Sequence, residues 1–328
     1  MAVELKAGTV VSWRNLSPIL STFNLMPEAG SSFPDYKPGQ YIALRRDDCK
    51  LSRRVIGDDG RPRFVPDLDE SGQQKQGPVT HSYSIASPPF VTREKGHLEF
   101  YVVLESGADG QPGRLTGSLF GSDPPSGNRM TYVSRIVGDF TLDKRAPGFG
   151  NVVMVGTGTG LAPFASMIRQ KDFEAASQPD GVRYTLIHAN RTFAELAFHE
   201  ELQAIEAKRR LDFVYLPSVS RPTPRDLEDP RLGQGRGNNV LRLILGLPCR
   251  EQELLEEARA VGGDTASAEA ALAKAVPAAL PRGVTPDGVR SRFDPAQTVV
   301  LTCGNPAVMA DIQKTAEVLR IRFEKEDW

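Results

Sequence analysis

Two hydrophobic periods run along the chain, and the change between them falls near residue 148. Before it, apolar residues alternate with polar ones over short stretches separated by Gly and Pro turns. Gly8–Leu16, Ser21–Leu25, Tyr41–Arg45 (after the turn Lys37-Pro-Gly39) and His81–Ala86 (before Pro88-Pro89) read as strands, and Leu98–Leu104 is the strongest of them. Short strands spaced in this way predict an antiparallel barrel or sandwich over residues 1–148.

After it, strands and helices alternate. The apolar run Asn151–Val155 ends in Gly156-Thr-Gly-Thr-Gly-Leu-Ala162 and leads into a helix, Pro163–Lys171. Strand Tyr184–His188, helix Phe193–Lys208, strand Leu211–Leu216, a Pro-rich loop and helix Asn238–Leu245 follow. Strand Thr298–Cys303 and helix Pro306–Leu319 complete the series. That order predicts a parallel sheet with right-handed crossovers over residues 149–328. Two segments fit neither period and are read as insertions. Residues 46–80 hold a hairpin signal, Val55–Val65 with Asp59-Gly60 at its turn, and a polar stretch, Asp69–Gly77. Residues 251–296 hold an Ala/Glu/Leu-rich helical patch and a Pro/Gly-rich return.

Charge narrows the function. Lys and Arg number 40 against 41 Asp and Glu, so the chain lacks the basic excess of a nucleic-acid binder. Its three cysteines, Cys49, Cys249 and Cys303, form no CxxC pair, and its four histidines no HExxH or HxxxH. No disulfide framework and no metal site are expected. Met1–Lys6 carries no signal-peptide pattern, and the most apolar stretch, Val152–Ile168, is interrupted by Gly and Thr. The expectation is a cytoplasmic protein with no membrane partner.

The sharpest chemical signal is Gly156–Pro163, where glycines let backbone N–H groups approach a phosphate at a helix N-terminus. No GK[ST] follows, so it is not a P-loop. The next strand lacks the acidic residue that would hold a ribose 2′-hydroxyl and runs instead into Arg191. Ser220-Arg221 follows the third strand, and Arg236 lies in the loop Gly233–Gly237. Strand ends of a parallel sheet converge on the ligand crevice, so Arg191, Arg221 and Arg236 can share a 2′-phosphate. Two charged hydrogen bonds would be worth about 3–6 kcal/mol, or about 10²–10⁴ in NADP over NAD preference. In the first half, His81-Ser-Tyr-Ser84 puts an aromatic between hydroxyls on a strand: Tyr83 can stack on a planar ring and Ser84 can hydrogen-bond a ring nitrogen. Gly110–Leu119 opens a short helix with Thr116 as its expected N-cap, where free N–H groups can hold a diphosphate.

Taken as an ordered set, these motifs resemble the ferredoxin–NADP reductase family. His81–Ser84 resembles its Arg-x-Tyr-Ser flavin motif, and Gly113-Arg-Leu-Thr116 its pyrophosphate segment. Thr157–Pro163 resembles its nicotinamide-dinucleotide loop, Ser220-Arg221 and Arg236 its 2′-phosphate clamp, and Cys303-Gly-Asn-Pro306 its Cys-Gly-x-Pro segment. Glu324–Trp328 is similar to bacterial members whose terminal aromatic covers the flavin. The resemblance implies an antiparallel six-stranded flavin-binding β-barrel followed by a parallel-sheet α/β nucleotide-binding domain. It places FAD against His81, Tyr83, Ser84, Ile85, Tyr101, Val103, Gly113, Leu115, Thr116 and Trp328. It places NADP(H) against Thr157, Gly158, Thr159, Arg191, Ser220, Arg221, Arg236 and Gly304. His81 departs from the family Arg and brings no fixed charge.

The implied chemistry is hydride transfer between NADPH and FAD, then single-electron transfer to ferredoxin or flavodoxin. Ser84, Cys303, Trp328 and Glu326 would act at the reacting centre, Trp328 as a gate; which of Glu324 and Glu326 is the acidic residue there stays open. The cation-rich segment 45–63, with Arg45, Arg46, Lys50, Arg53, Arg54, Arg61 and Arg63, is the expected docking patch for an acidic carrier or else a solvated loop. Two rival readings are a reductase component of a multicomponent oxygenase and a non-catalytic flavin-binding regulatory subunit. The first needs an iron–sulfur centre on another chain, since no four-Cys motif is present. A small-metabolite dehydrogenase is disfavoured, because no catalytic set for it is evident.

Overall fold

A computed structural model describes residues 4–57, 60, 62–107, 110–121 and 128–326. The chain divides into two units, residues 1–138 and 139–328, a division ten residues before the expected one at 148.

In the first unit, β1 (Leu5–Ser17), β2 (Leu20–Pro27), β3 (Tyr41–Lys50), β4 (Ser52–Ile56), β5 (Pro62–Pro66), β6 (Gln76–Ser84), α1 (Pro89–Lys95), β7 (Leu98–Val103), α2 (Arg114–Phe120) and β8 (Arg129–Val137) follow in order. Six strands form one antiparallel sheet in the order β6-β3-β8-β1-β2-β7. Just past β6, Ala86 N–H donates to Glu99 O on β7 (2.8 Å), which draws the two outer strands together. The inward positions of this curled sheet make one core: Val10, Phe23, Leu25, Ile42, Leu44, Ile85, Leu98, Phe100 and Tyr132 are all buried. Phe23 stacks on Phe100 with centroids 5.0 Å apart.

The expected insertion 46–80 is smaller than the hydrophobic pattern implies. β3 runs on to Lys50 and β6 begins at Gln76, with Cys49 opposite Gly77 and Lys50 opposite Gln76 across a bulge. Only residues 51–75 leave the sheet. They carry a separate two-stranded hairpin in which Val55 pairs with Arg63; Asp58, Asp59 and Arg61 at its turn lie outside the described residues. Burial alternates over Gln76–Thr80, but the inward positions are Gly77 and Val79 and the outward ones Gln76, Pro78 and Thr80, so the residues carry too little apolar contrast to announce a strand.

In the second unit, α3 (Leu142–Arg145), β9 (Asn151–Thr157), α4 (Leu161–Ala175), β10 (Arg183–Asn190), α5 (His199–Lys208), β11 (Asp212–Val219), α6 (Pro224–Glu228), β12 (Gly233–Gln234), α7 (Gly237–Leu245), α8 (Arg250–Ala260), α9 (Ala266–Lys274), α10 (Pro286–Arg290), β13 (Thr298–Cys303), α11 (Pro306–Val318) and β14 (Arg322–Lys325) follow. The parallel sheet has the order β12-β11-β10-β9-β13-β14. β9, β10 and β13 are buried along nearly their whole length, as a sheet covered on both faces requires.

The single helix expected over Phe193–Lys208 is two pieces. A 3₁₀ turn at Phe193–Glu195 is separated from α5 by Phe198, whose φ of 59° no helix continues through. The 251–296 segment is likewise not an appendage. After α8 and α9 the chain returns to exchange two backbone bonds between Ala279 and Gln234 (2.8 and 3.0 Å), flanking β12. Val289 joins the core of the unit, with Ala278, Leu280, Val284 and Phe293 packed against it.

Candidate functional site

At the C-terminal edge of the parallel sheet, the β9–α4 loop is pressed against the end of β13. A Cβ on Gly160 would lie 2.2 Å from Cys303 O, and one on Gly304 would lie 2.3 Å from Thr157 O. Asn305 N–H donates to Thr157 Oγ1 (3.0 Å). The loop motif and the Cys-Gly-Asn-Pro motif, far apart in sequence, therefore form one surface holding Thr157, Gly158, Thr159, Cys303 and Gly304. Gly158 has φ 59° with nothing within 4 Å of where its Cβ would be, so its backbone is open to a ligand. Cys303 is fully buried, and its thiol donates to Glu326 Oε2 (3.4 Å). Glu324 instead pairs with Arg145 (2.9 Å) and with Arg322, so Glu326 is the acidic residue beside Cys303. Trp328 lies outside the described residues.

The three arginines follow three adjacent strands. Ser220 N–H donates to Asn190 O (2.9 Å), Arg221 N–H to Arg191 O (2.8 Å) and Gly235 N–H to Val219 O (2.9 Å), so Arg191, Ser220, Arg221 and Arg236 are carried on one edge. Two of them meet carboxylates that sequence spacing did not single out. Arg191 is held by Glu195, its Nε donating to Oε2 at 2.9 Å and its Nη2 to Oε1. Arg236 Nη1 lies 3.5 Å from Glu251 Oε1. The i,i+4 spacing of Arg191 and Glu195 was a readable signal; the Glu251 contact depends on the path of α8 and was not.

In the first unit, a cleft of about 910 Å³ is walled by the β4–β5 hairpin on one side and by the Gly113–Gly117 turn of α2 on the other. His81, Lys50, Arg63, Arg114, Asp48 and Glu105 also line it. The position of Thr116 is a correction: α2 begins at Arg114 with Gly113 as N-cap. Thr116 sits inside the helix, its buried hydroxyl accepting from Glu105 N–H (3.3 Å). Ile85 and Leu115 are buried to 1% exposure or less, so they can offer a ligand only backbone groups. Tyr83 and Ser84 continue the strand from His81; Tyr101 and Val103 lie on β7, opposite Thr22 and Leu20. Burial, with Glu105 nearby, pushes the Tyr83 phenol well above its ordinary value, so it stays protonated.

The basic segment is less uniform than its composition suggests. Arg45 pairs with Asp47 (2.7 Å), and Arg46, 7% exposed, is fixed by Asp48 (2.7 Å) and Ser118 (2.7 Å). The Arg46 guanidinium holds the Asp48 carboxyl down to about 2. Arg46 therefore braces β3 against α2 and cannot serve as a docking charge. Arg53 and Arg54 remain exposed.

A model of the oxidoreductase NAD-binding domain matches residues 154–232. The chain is 30% identical to a flavohemoprotein of Bordetella pertussis over 209 residues, covering 62% of this chain and 42% of that protein. It is 28% identical to a ferredoxin–NADP reductase of Pseudomonas aeruginosa over 209 residues, 56% of this chain and 71% of that one. A ferredoxin NADP+ reductase structure from Neisseria gonorrhoeae superposes with a TM-score of 0.56 at 20% identity, covering 99% of each chain. The chain therefore carries an oxidoreductase NAD-binding domain and is similar, in sequence and in fold, to ferredoxin–NADP reductases. The antiparallel sheet followed by the parallel one is the fold it shares with that structure. The chain spans about half the length of the flavohemoproteins it matches. Among the described residues, no cluster of metal-ligating side chains is found, and no helix is long and apolar enough to cross a membrane.

Proposed function

We propose that the chain is an FAD- and NADP(H)-dependent oxidoreductase that passes electrons to a small acidic carrier, ferredoxin or flavodoxin. The observation that carries this reading is the shared edge: the open Gly158 backbone, the Thr157–Gly304 surface and three arginines on adjoining strand ends. The residues present fit both groups. Gly158 offers a phosphate an unobstructed backbone, and the 910 Å³ cleft offers a dinucleotide four cationic or ionisable side chains: His81, Lys50, Arg63 and Arg114. When bound, the nicotinamide and the flavin supply hydride transfer and the split into single electrons.

The chain's own part is to bind and orient. Arg221 and Arg236 hold the 2′-phosphate, and Ser220 lies beside them. Tyr83 and Ser84 present a ring and a hydroxyl to the flavin; Tyr101 and Val103 flank it. Buried Cys303 and Glu326 hold a proton donor and acceptor together under the nicotinamide surface, and Trp328 gates it. Arg53 and Arg54 on β4 contribute charge for the carrier. Anaerobic addition of NADPH to the purified protein tests the reading: a yellow protein bleached by NADPH more readily than by NADH supports it, and a colourless or unresponsive one overturns it.

A second reading has a specific support. The matched flavohemoproteins and the 18%-identical cytochrome P450 reductase structure from Amycolatopsis have other names on the acceptor side. A reductase serving a haem or oxygenase partner would reduce such a partner faster than it reduces ferredoxin or flavodoxin.

A further inference from the structure

The expected clamp of three arginines does not carry three unbalanced charges. Arg191 is doubly bonded to Glu195, whose side chain is 4% exposed. Arg236, 66% exposed, faces Glu251 Oε1 across 3.5 Å, while the Glu251 side chain is itself only 9% exposed. Glu251 cannot swing aside: its other oxygen accepts from Asn239 Nδ2 at 2.7 Å, and Asn239 is buried in α7. Asn239 Oδ1 in turn accepts from Arg250 N–H (2.9 Å), locking the start of α8 to α7. α8 is held from further along as well, by Arg250 and Glu253 in a network with Arg242, Asp311 and Lys314. Arg221 is exposed as well, and among the described residues it is the member of the set with no carboxylate within ion-pair distance.

A phosphate monoester carries about −1.5 to −2 charges at neutral pH. A ligand bearing one at the ribose 2′ position would meet three guanidinium groups and two fixed carboxylates. Each carboxylate offsets part of the attraction that distinguishes the 2′-phosphate from a 2′-hydroxyl, while leaving the rest of the nucleotide unaffected. Of the two, Glu195 sits in tight bidentate contact with its arginine, which it also orients. Glu251 makes a single longer contact, which orients little and opposes much.

We propose that Glu251, delivered by the first turn of α8, is a specificity-determining residue that weakens recognition of the adenosine 2′-phosphate and so narrows the chain's preference for NADP(H) over NAD(H). This rests on the reading of the arginine edge as a 2′-phosphate site. The 251–296 segment would then tune nucleotide choice from outside the loop that binds the nucleotide.

The test is calorimetric titration of the full chain with 2′,5′-ADP and with 5′-AMP, for the native sequence and for Glu251→Gln. Gln keeps an oxygen for Asn239 and removes the charge. An exposed pair of this kind is worth up to about fivefold in a binding constant. The expected result is 2′,5′-ADP about fivefold tighter in Glu251→Gln with 5′-AMP unchanged, and loss of that gain when Arg236→Ala is added. Glu251→Asp, which keeps the charge but draws it back, should fall between. An unchanged ratio of the two affinities in Glu251→Gln overturns the proposal, and a lowered ratio does so by making Glu251 an orienting residue. Should Glu251→Gln fail to fold, an unchanged ratio in Glu251→Asp overturns it equally. Failure of the underlying reading looks different: the native chain would bind 2′,5′-ADP no better than 5′-AMP, and Arg221→Ala and Arg236→Ala would change neither, removing both claims together.

Discussion

The two binding regions proposed for this chain treat charge and space in opposite ways. At the nucleotide edge, backbone meets backbone at Gly160 and Cys303, and guanidinium groups meet carboxylates. At the flavin cleft, the walls stand apart and Lys50, Arg63, Arg114 and His81 border open volume. The first region is fixed before a ligand arrives, and its residues serve folding as much as binding. The second keeps cations at a rim, where their removal costs affinity more than stability. A buried contact removed leaves a void, a clash or an orphaned charge, whereas a rim charge returns to water.

The largest effect that can break this contrast is at Gly160. Gly160→Ala drives a Cβ into the Cys303 carbonyl and should lower unfolding stability by about 4 kcal/mol in urea titration. A shift under 1 kcal/mol would show that the edge yields as readily as the cleft. Next comes Asp311→Ala, which removes the buried, doubly bonded partner of the 2%-exposed Arg242 and leaves it Glu253 alone as a carboxylate; a loss of about 3 kcal/mol is expected.

The third test is pH. Burial, with His199 nearby, drives His188 down to about 3 from its ordinary 6.5. The unfolded chain takes up a proton below about pH 6.5 that folded His188 refuses until about pH 3, so stability falls as pH falls through that window and is flat in this respect above it. The slope is about 1.4 kcal/mol per pH unit for one such group. It should be shallower in His188→Gln; equal slopes in the two proteins would assign the acid loss elsewhere.

The smallest effect sharpens the other side. Lys50→Gln combined with Arg63→Gln should weaken FAD about tenfold, read from flavin fluorescence, with the melting temperature of the flavin-free protein unmoved. A drop in that melting temperature would mean that the hairpin charges hold the barrel together.

The same contrast explains what could be read from sequence. The nucleotide edge was legible because close packing demands specific residues: Gly156–Gly160, Cys303-Gly304 and the Val-rich, buried strands β9 and β13 carry their geometry in their composition. The helix boundary at Phe198 was not, since nothing in Ala197-Phe-His199 announces a positive φ. The cleft was only half legible. His81 and Gly113, which line it, were singled out by motif, whereas Lys50 and Arg63, which line it too, read only as members of a basic segment. Their separation from Arg46, which is buried, depends on the continued pairing of β3 with β6. The carboxylate partners were hidden for a similar reason: Glu251 reaches Arg236 only through tertiary contacts that bind α8 to α7.

One feature of the parallel sheet bears on how the chain is made. β13 lies between β9 and β14, yet it follows β9 by well over a hundred residues. While the ribosome is still adding α7, α8 and α9, one side of β9 has no neighbour, and its apolar edge is open to pairing with other chains. The Gly156–Gly160 loop lacks its backing over the same interval, because Cys303 and Gly304 have yet to emerge. Nascent chains stalled before residue 298 should thus be chaperone clients and poor binders of nucleotide, and release of the β13 segment marks the moment when the sheet closes and the loop takes its shape.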